Sequence, residues 1–148
     1  MAVGDKHNNN KSTGDHYKPR AEKFKVQNFE KIAKYPKNCL VEVSNGCNHK
    51  CLFCYNTLMR RKVGKLNKDI FSKFISEGIQ LGLEEVGLYS TGEPFINKDL
   101  DEYIERAKGL GIARVYVTSN GVLADIETVK NAYYKGLDSI KFSINASN

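Results

Sequence analysis

From Asn38 onward the chain repeats one rhythm: a short apolar run, then an amphipathic segment about three times as long. "CLVEVS" (Cys39–Ser44), "EVGLYS", "ARVYVTS" and "SIKFSIN" are the apolar runs, and each reads as a strand. Between them "NKDIFSKFISEGIQLG" sets Ile70, Phe71, Phe74, Ile75 and Ile79 at helical spacing, with Asn67 as N-cap and Gly82 as stop. "NKDLDEYIERAKGLG" places Leu100, Tyr103, Ile104 and Ala107 on one side of a second helix. "LADIETVKNAYYKG" is a third, closed by Gly136. Strands alternating with helices call for an α/β fold of parallel βα repeats with right-handed crossovers. Such a sheet offers the C-terminal ends of its strands as the place for ligands.

Every unusual residue set falls at a strand C-terminus. "SNGCNHKCLFCYN" follows the first strand, "STGEPF" the second and "TSNG" the third, and "NASN" ends the fourth. Four loops on one rim can converge on one ligand. The first of them crowds Cys47, Cys51 and Cys54 into eight positions. Three thiolates on a tight loop suit a soft metal. A structural zinc site wants four protein ligands, which here would enlist His49 or Cys39. A cubane [4Fe–4S] cluster also wants four ligands, so three cysteines leave one iron open to a non-protein ligand. Against ligand roles, Cys39 reads as a buried strand cysteine and His49 as an exposed loop residue. Asn120–Gly121 reads equally as a turn or as part of a cofactor rim. "MRRK" reads as a solvated basic loop. Glu42 alternates with Val41 and Val43 in a covered strand, so its carboxylate needs a partner or an interior to face.

These residues carry a family resemblance. "CNHKCLFC" is similar to the CxxxCxΦC signature of the radical S-adenosylmethionine (radical SAM) superfamily, with Phe53 as the aromatic Φ. "TGEP" (Thr91–Pro94) resembles that family's second-strand GGEP motif, with Thr in place of the first Gly. "TSNG" and "SIN" resemble its third- and fourth-strand endings. The resemblance implies a partial TIM-like barrel that holds a [4Fe–4S] cluster and S-adenosylmethionine. On matching positions, Cys47, Cys51 and Cys54 would hold three irons, and the amino and carboxylate groups of S-adenosylmethionine would chelate the fourth. Phe53 and Tyr55 would border the adenine. Gly92, Glu93 and Pro94 would form the shelf for the cofactor's amino group, with Glu93 as acceptor and Gly92 allowing close approach. Ser143 and Asn145 would reach the ribose hydroxyls or the carboxylate. The implied reaction is reductive cleavage of S-adenosylmethionine to a 5′-deoxyadenosyl radical that takes hydrogen from a substrate. It also implies an electron donor such as flavodoxin or ferredoxin, and a substrate of the peptide, protein or sugar-precursor kind.

The family core has six βα units, whereas the rhythm here runs through four. Residues 37–148 thus read as a radical SAM core truncated after strand four, with its S-adenosylmethionine site about two-thirds present. An inactive iron–sulfur binding module, or a fragment of a longer enzyme, is the alternative. A module that only passes electrons would not need the "TGEPF" shelf. Residues 1–36 are polar, and "HNNNKSTGDHYKPR" has almost no side chain for a core, so they read as a mostly disordered tail. No apolar run reaches membrane-spanning length and the N-terminus lacks a signal-peptide core, which points to the cytoplasm. A reducing compartment turns clustered cysteines into ligands rather than disulfides. The net charge of +6 favours anionic partners but is weak ground for nucleic acid.

Overall fold

The longer strands form where apolar residues alternate with polar ones ("RVYVTS", "SIKF"), and the helices where apolar residues recur at every third or fourth position. The structure, a computed structural model, describes residues 35–145. All but the last two positions of the polar tail expected over residues 1–36 lie outside the described residues, as does the stretch 146–148. The strands are β1 (Asn38–Leu40), β2 (Glu85–Gly87), β3 (Arg114–Ser119) and β4 (Ser139–Phe142). They make one four-stranded sheet in the order β1-β2-β3-β4, and every pairing is parallel. Helices α1 (Lys68–Gln80), α2 (Leu100–Leu110) and α3 (Ile126–Tyr134) are the crossovers. Consecutive strands lying side by side in one direction, joined by helices, are a segment of a βα barrel wall.

One face of the sheet and the inner faces of the helices share the core. In β3, Val115, Val117 and Ser119 are buried while Arg114, Tyr116 and Thr118 face the other, more open side. Leu100, Tyr103, Ile104 and Ala107 of α2 are buried as their spacing predicts. The Tyr103 ring meets Phe71 of α1 edge-on at 5.1 Å, and its hydroxyl donates to the carbonyl of Leu66. Asn67 caps α1, its Oδ1 accepting from the backbone N–H groups of Asp69 (2.8 Å) and Ile70 (3.0 Å). Of the residues at helical spacing in α1, Phe71 and Ile75 are buried, whereas Ile70 in the first turn stands 62% exposed. On the open side, Tyr116 donates to Asn38 and Asn38 to Glu85, which ties together the strand N-termini opposite the ligand rim.

The first strand is shorter than its sequence suggests. The ladder to β2 ends at Leu40, with one further bond from Val41 N–H to Gly87 O (2.8 Å). β2, paired with β3 over the same residues, continues that pairing by one bond, from Leu88 N–H to Tyr116 O (2.9 Å). Val43 and Ser44 then pair antiparallel with the returning chain: Leu66 N–H donates to Val43 O (3.1 Å), and Ser44 bridges Lys65. A local contact the strand pattern does not encode thus takes over the apolar run "VEVS".

Candidate functional site

That antiparallel pairing is the base of the cysteine loop. Asn45, buried just above it, stitches the loop shut with both ends of its amide. Its Nδ2 donates to Lys62 O (3.0 Å), and its Oδ1 accepts from Gly64 N–H (2.7 Å). Asn56 Nδ2 donates to Asn45 O (2.8 Å), drawing in the short 3₁₀ turn Tyr55–Leu58. Within the loop Cys54 N–H donates to Cys51 O (3.0 Å), and His49 N–H approaches Cys47 Sγ at 3.4 Å. Cys47, Cys51 and Cys54 are free and half-buried. All three line one cleft of about 380 Å³, together with His49. Cys39 packs against the core instead, where burial raises its thiol pKa. Among the described residues, no three His, Cys, Asp or Glu side chains gather tightly enough to hold a single metal ion. Three thiols on one cleft supply the protein ligands of a [4Fe–4S] cluster that leaves one iron open.

The "TGEP" turn is built against this loop. A Cβ on Gly92 would lie 2.2 Å from Ser44 O and 2.9 Å from Gly46 O, so nothing larger than glycine fits. Gly92 allows close approach of backbone, and the backbone that approaches it here is that of the cysteine loop. Next to it Glu93 N–H donates to Gly46 O (2.8 Å). The Glu93 side chain is only 2% exposed, and its carboxylate ties its own turn to the loop after β3. Oε1 accepts from Phe95 N–H (3.1 Å) and Ser119 Oγ (2.8 Å), and Oε2 accepts from Asn120 N–H (2.8 Å). A carboxylate has about four acceptor positions, so one remains, on Oε2, for a donor in the cleft. Asn120 then reaches back to the cysteine loop, its Nδ2 donating to Asn48 Oδ1 (2.8 Å) at 4.0 Å from Cys47 Sγ.

The remaining expected residues are placed as follows. Phe53, Ser143 and Asn145 line the same cleft as the cysteines and Glu93. Ser143 continues the β4 ladder by one bond, its N–H donating to Ser119 O (2.8 Å). Tyr55 lines a neighbouring cleft of about 590 Å³ with Arg60 and Arg61; the two clefts share Thr91. Pro94 is buried at the start of the 3₁₀ turn Pro94–Ile96, where its fixed φ suits the turn, and does not line the cleft. Tyr89, Ser90, Thr118, Ser119 and Ile144 also line it. Strand alternation could have nominated Thr118, which faces the open side, but Asn45 and Asn56 carry no sequence signal for their clamp. Glu42 has the partner its position demands. Oε1 accepts from Thr91 N–H (3.0 Å) and Thr91 Oγ1 (2.6 Å), and Oε2 from Arg61 (2.7 Å). Burial opposes its ionisation, but the hydrogen bonds from Thr91 and Arg61 outweigh it, and its pKa is lowered.

A cleft shared by three spaced cysteines, a buried glutamate and the end of a fourth parallel strand can be compared with known proteins. The radical SAM superfamily matches residues 41–148. The chain belongs to it. Enzymes of this superfamily use a [4Fe–4S] cluster and S-adenosylmethionine. Among curated radical SAM relatives, a GTP 3′,8-cyclase of Aquifex aeolicus is 31% identical over 127 residues, spanning 81% of this chain and 38% of the relative. A probable GTP 3′,8-cyclase of Methanococcus maripaludis (strain C5) is 30% identical over 111 residues, spanning 73% of this chain and 36% of that one. The chain therefore spans little more than a third of these relatives. Two solved structures share the fold. BtrN in complex with AdoMet and 2-DOIA has a TM-score of 0.68 at 20% identity, over 79% of this chain and 49% of that one. Streptococcus suis SuiB bound to precursor peptide SuiA has a TM-score of 0.56 at 23% identity, over 66% and 21%. Among the described residues of this radical SAM chain, no helix is long and apolar enough to cross a membrane.

Proposed function

We propose that Cys47, Cys51 and Cys54 hold three irons of a [4Fe–4S] cluster and that the cleft beside them binds S-adenosylmethionine. When bound, the pair supplies reductive cleavage of the sulfonium to methionine and a 5′-deoxyadenosyl radical, which abstracts hydrogen from a substrate. The protein binds, orients and shields that chemistry. Glu93 Oε2 offers its remaining acceptor position to the cofactor's ammonium, and the Ser119 and Asn120 bonds fix it there in advance. Ser143 and Asn145 present polar groups from the far wall of the cleft to the ribose hydroxyls or the carboxylate. Phe53, on the cysteine loop, borders the adenine, with Tyr55 beyond it at the mouth of the neighbouring cleft.

The observation that carries this reading is the single cleft lined by all three cysteines, Glu93, Ser143 and Asn145. The reaction needs a one-electron donor of the flavodoxin or ferredoxin kind and a substrate carrying an abstractable hydrogen. The curated relatives are named for GTP, and one structural neighbour was solved with a precursor peptide. Nucleotides, peptides and sugar precursors are therefore the substrates to screen. A reducing compartment, the cytoplasm, keeps the three thiols available. The test is anaerobic reconstitution, with iron and sulfide analysis and electron paramagnetic resonance before and after adding S-adenosylmethionine. A brown, oxygen-sensitive cluster whose spectrum changes on addition is the expected result. Stoichiometric zinc without iron uptake would sink the proposal.

A further inference from the structure

Cys47 differs from the other two cysteines in what surrounds its sulfur. Two N–H donors lie against it: the backbone N–H of His49, at 3.4 Å, and Nδ2 of Asn120, at 4.0 Å. Among the described residues, no N–H donates to the sulfur of Cys51 or Cys54. The His49 donor belongs to the cysteine loop itself. The Asn120 donor arrives from the loop after β3, 73 residues away in sequence.

Three bonds hold Asn120 in place. Its backbone N–H donates to Glu93 Oε2 (2.8 Å). Its Oδ1 accepts from Val122 N–H (3.1 Å), which decides which end of the amide is oxygen. Its Nδ2 donates one hydrogen to Asn48 Oδ1 (2.8 Å), and the second is left for Cys47. The main chain of Asn120 thus serves the glutamate, and its side chain serves the cysteine.

We infer that Asn120 is a positioning residue whose amide raises the reduction potential of the cluster through Cys47. The inference rests on the cysteines being cluster ligands. Reduction adds one electron to the cluster, and no bond or proton changes hands. Part of the added negative charge falls on the cysteine sulfurs, where the positive end of an N–H group stabilises it. Hydrogen bonds to the sulfurs are among the features that set the potential of such clusters. The donor at Cys47 therefore favours the reduced form.

The midpoint potential is measured on anaerobically reconstituted protein, without S-adenosylmethionine, by dithionite titration followed by electron paramagnetic resonance. Asn120→Ala removes the side-chain donor but keeps the backbone N–H on Glu93. Asn120→Asp keeps the acceptor for Val122 N–H and puts an oxygen where the donor stood. Asn48→Ala breaks the same link between the two loops but leaves the Asn120 amide present. The potentials are expected to fall in the order wild type, Asn48→Ala, Asn120→Ala, Asn120→Asp, with the His49 N–H retained throughout. For Asn120→Ala the ratio of reduced to oxidised cluster at a fixed potential should drop about tenfold, equivalent to about 59 mV for one electron. The potential belongs to the clusters present, so partial loading of a variant does not obscure it. Unchanged potentials in both Asn120 variants would overturn the inference. So would a shift in Asn48→Ala as large as that in Asn120→Ala, which would make the link between the loops responsible rather than the N–H group. Wild-type protein that takes up no iron would defeat the cluster reading and this inference with it, whereas a loaded cluster of unchanged potential defeats this inference alone.

Discussion

The two walls of the cleft are built differently. On the cysteine side Asn45, Asn56, Gly92, Glu93 and Asn120 bind three loops into one body with bonds of 2.7–3.1 Å, closed by a buried carboxylate. On the strand-four side Ser143 is held by its one backbone bond to Ser119, and beside it Phe142 is 47% and Ile144 80% exposed. Among the described residues neither the Ser143 nor the Asn145 side chain makes a protein hydrogen bond. The first wall is therefore tied up in holding itself together, with one acceptor position spare. The second wall contributes little to the fold and keeps its polar groups free for a ligand. Substitutions on the first side should cost stability and cofactor together, and those on the second should cost cofactor alone.

The sharpest contrast lies among the cysteines. Cys47→Ala is expected to abolish iron uptake, whereas Cys39→Ala, which removes a thiol packed against the core, should leave iron content unchanged. Iron per chain after anaerobic reconstitution reads both. Gly92→Ala comes next. Its methyl group would meet backbone carbonyls that cannot turn aside, so a loss of about 3 kcal/mol or more is expected. Thermal unfolding measures it, and a variant as stable as the wild type would show that the loops are not one body. Glu93→Gln keeps the shape but puts an amide where three donors need acceptors. It should cost about 1–3 kcal/mol and weaken S-adenosylmethionine binding in the same protein.

Acid sharpens the comparison. The folded-state pKa of Glu42 lies below its unfolded value of about 4.3. The stability it adds is fully present above the unfolded value and lost as pH falls through the folded one. Glu42→Gln should therefore flatten the acid limb of the stability curve. A curve unchanged by Glu42→Gln would show the Thr91–Arg61 contacts to be idle. The smallest effects belong to the far wall. Ser143→Ala and Asn145→Ala should each shift stability by less than about 0.5 kcal/mol. Each should nevertheless weaken S-adenosylmethionine binding roughly two- to tenfold, at about 0.5–1.5 kcal/mol per hydrogen bond. Stability losses as large as those of Glu93→Gln would erase the distinction between the walls.

The order of strands and helices was legible because burial on one side leaves a period in the sequence, as in α2, where Leu100, Tyr103, Ile104 and Ala107 are all buried. Convergence of the cysteines, Glu93 and Ser143 was legible for a related reason: parallel strands send their C-terminal loops to one rim. What was not legible rests on contacts between segments far apart in sequence. "VEVS" has the composition of a strand throughout, and only the returning Lys65–Leu66 segment decides where its ladder ends. Gly92 announces tightness but not what is tight against it. Tyr55, the first residue of the 3₁₀ turn that follows Cys54, lines a second cleft rather than the first, which spacing alone does not encode.

The antiparallel clamp at residues 43–45 and 64–66 has a consequence for the loop it closes. It brings the two ends of the Gly46–Val63 excursion together using protein atoms alone. Closing a loop of that length costs roughly 2.5 kcal/mol beyond a constant. The clamp's bonds between protein atoms offset that entropy, so the two ends of the loop are held together independently of any ligand the loop binds.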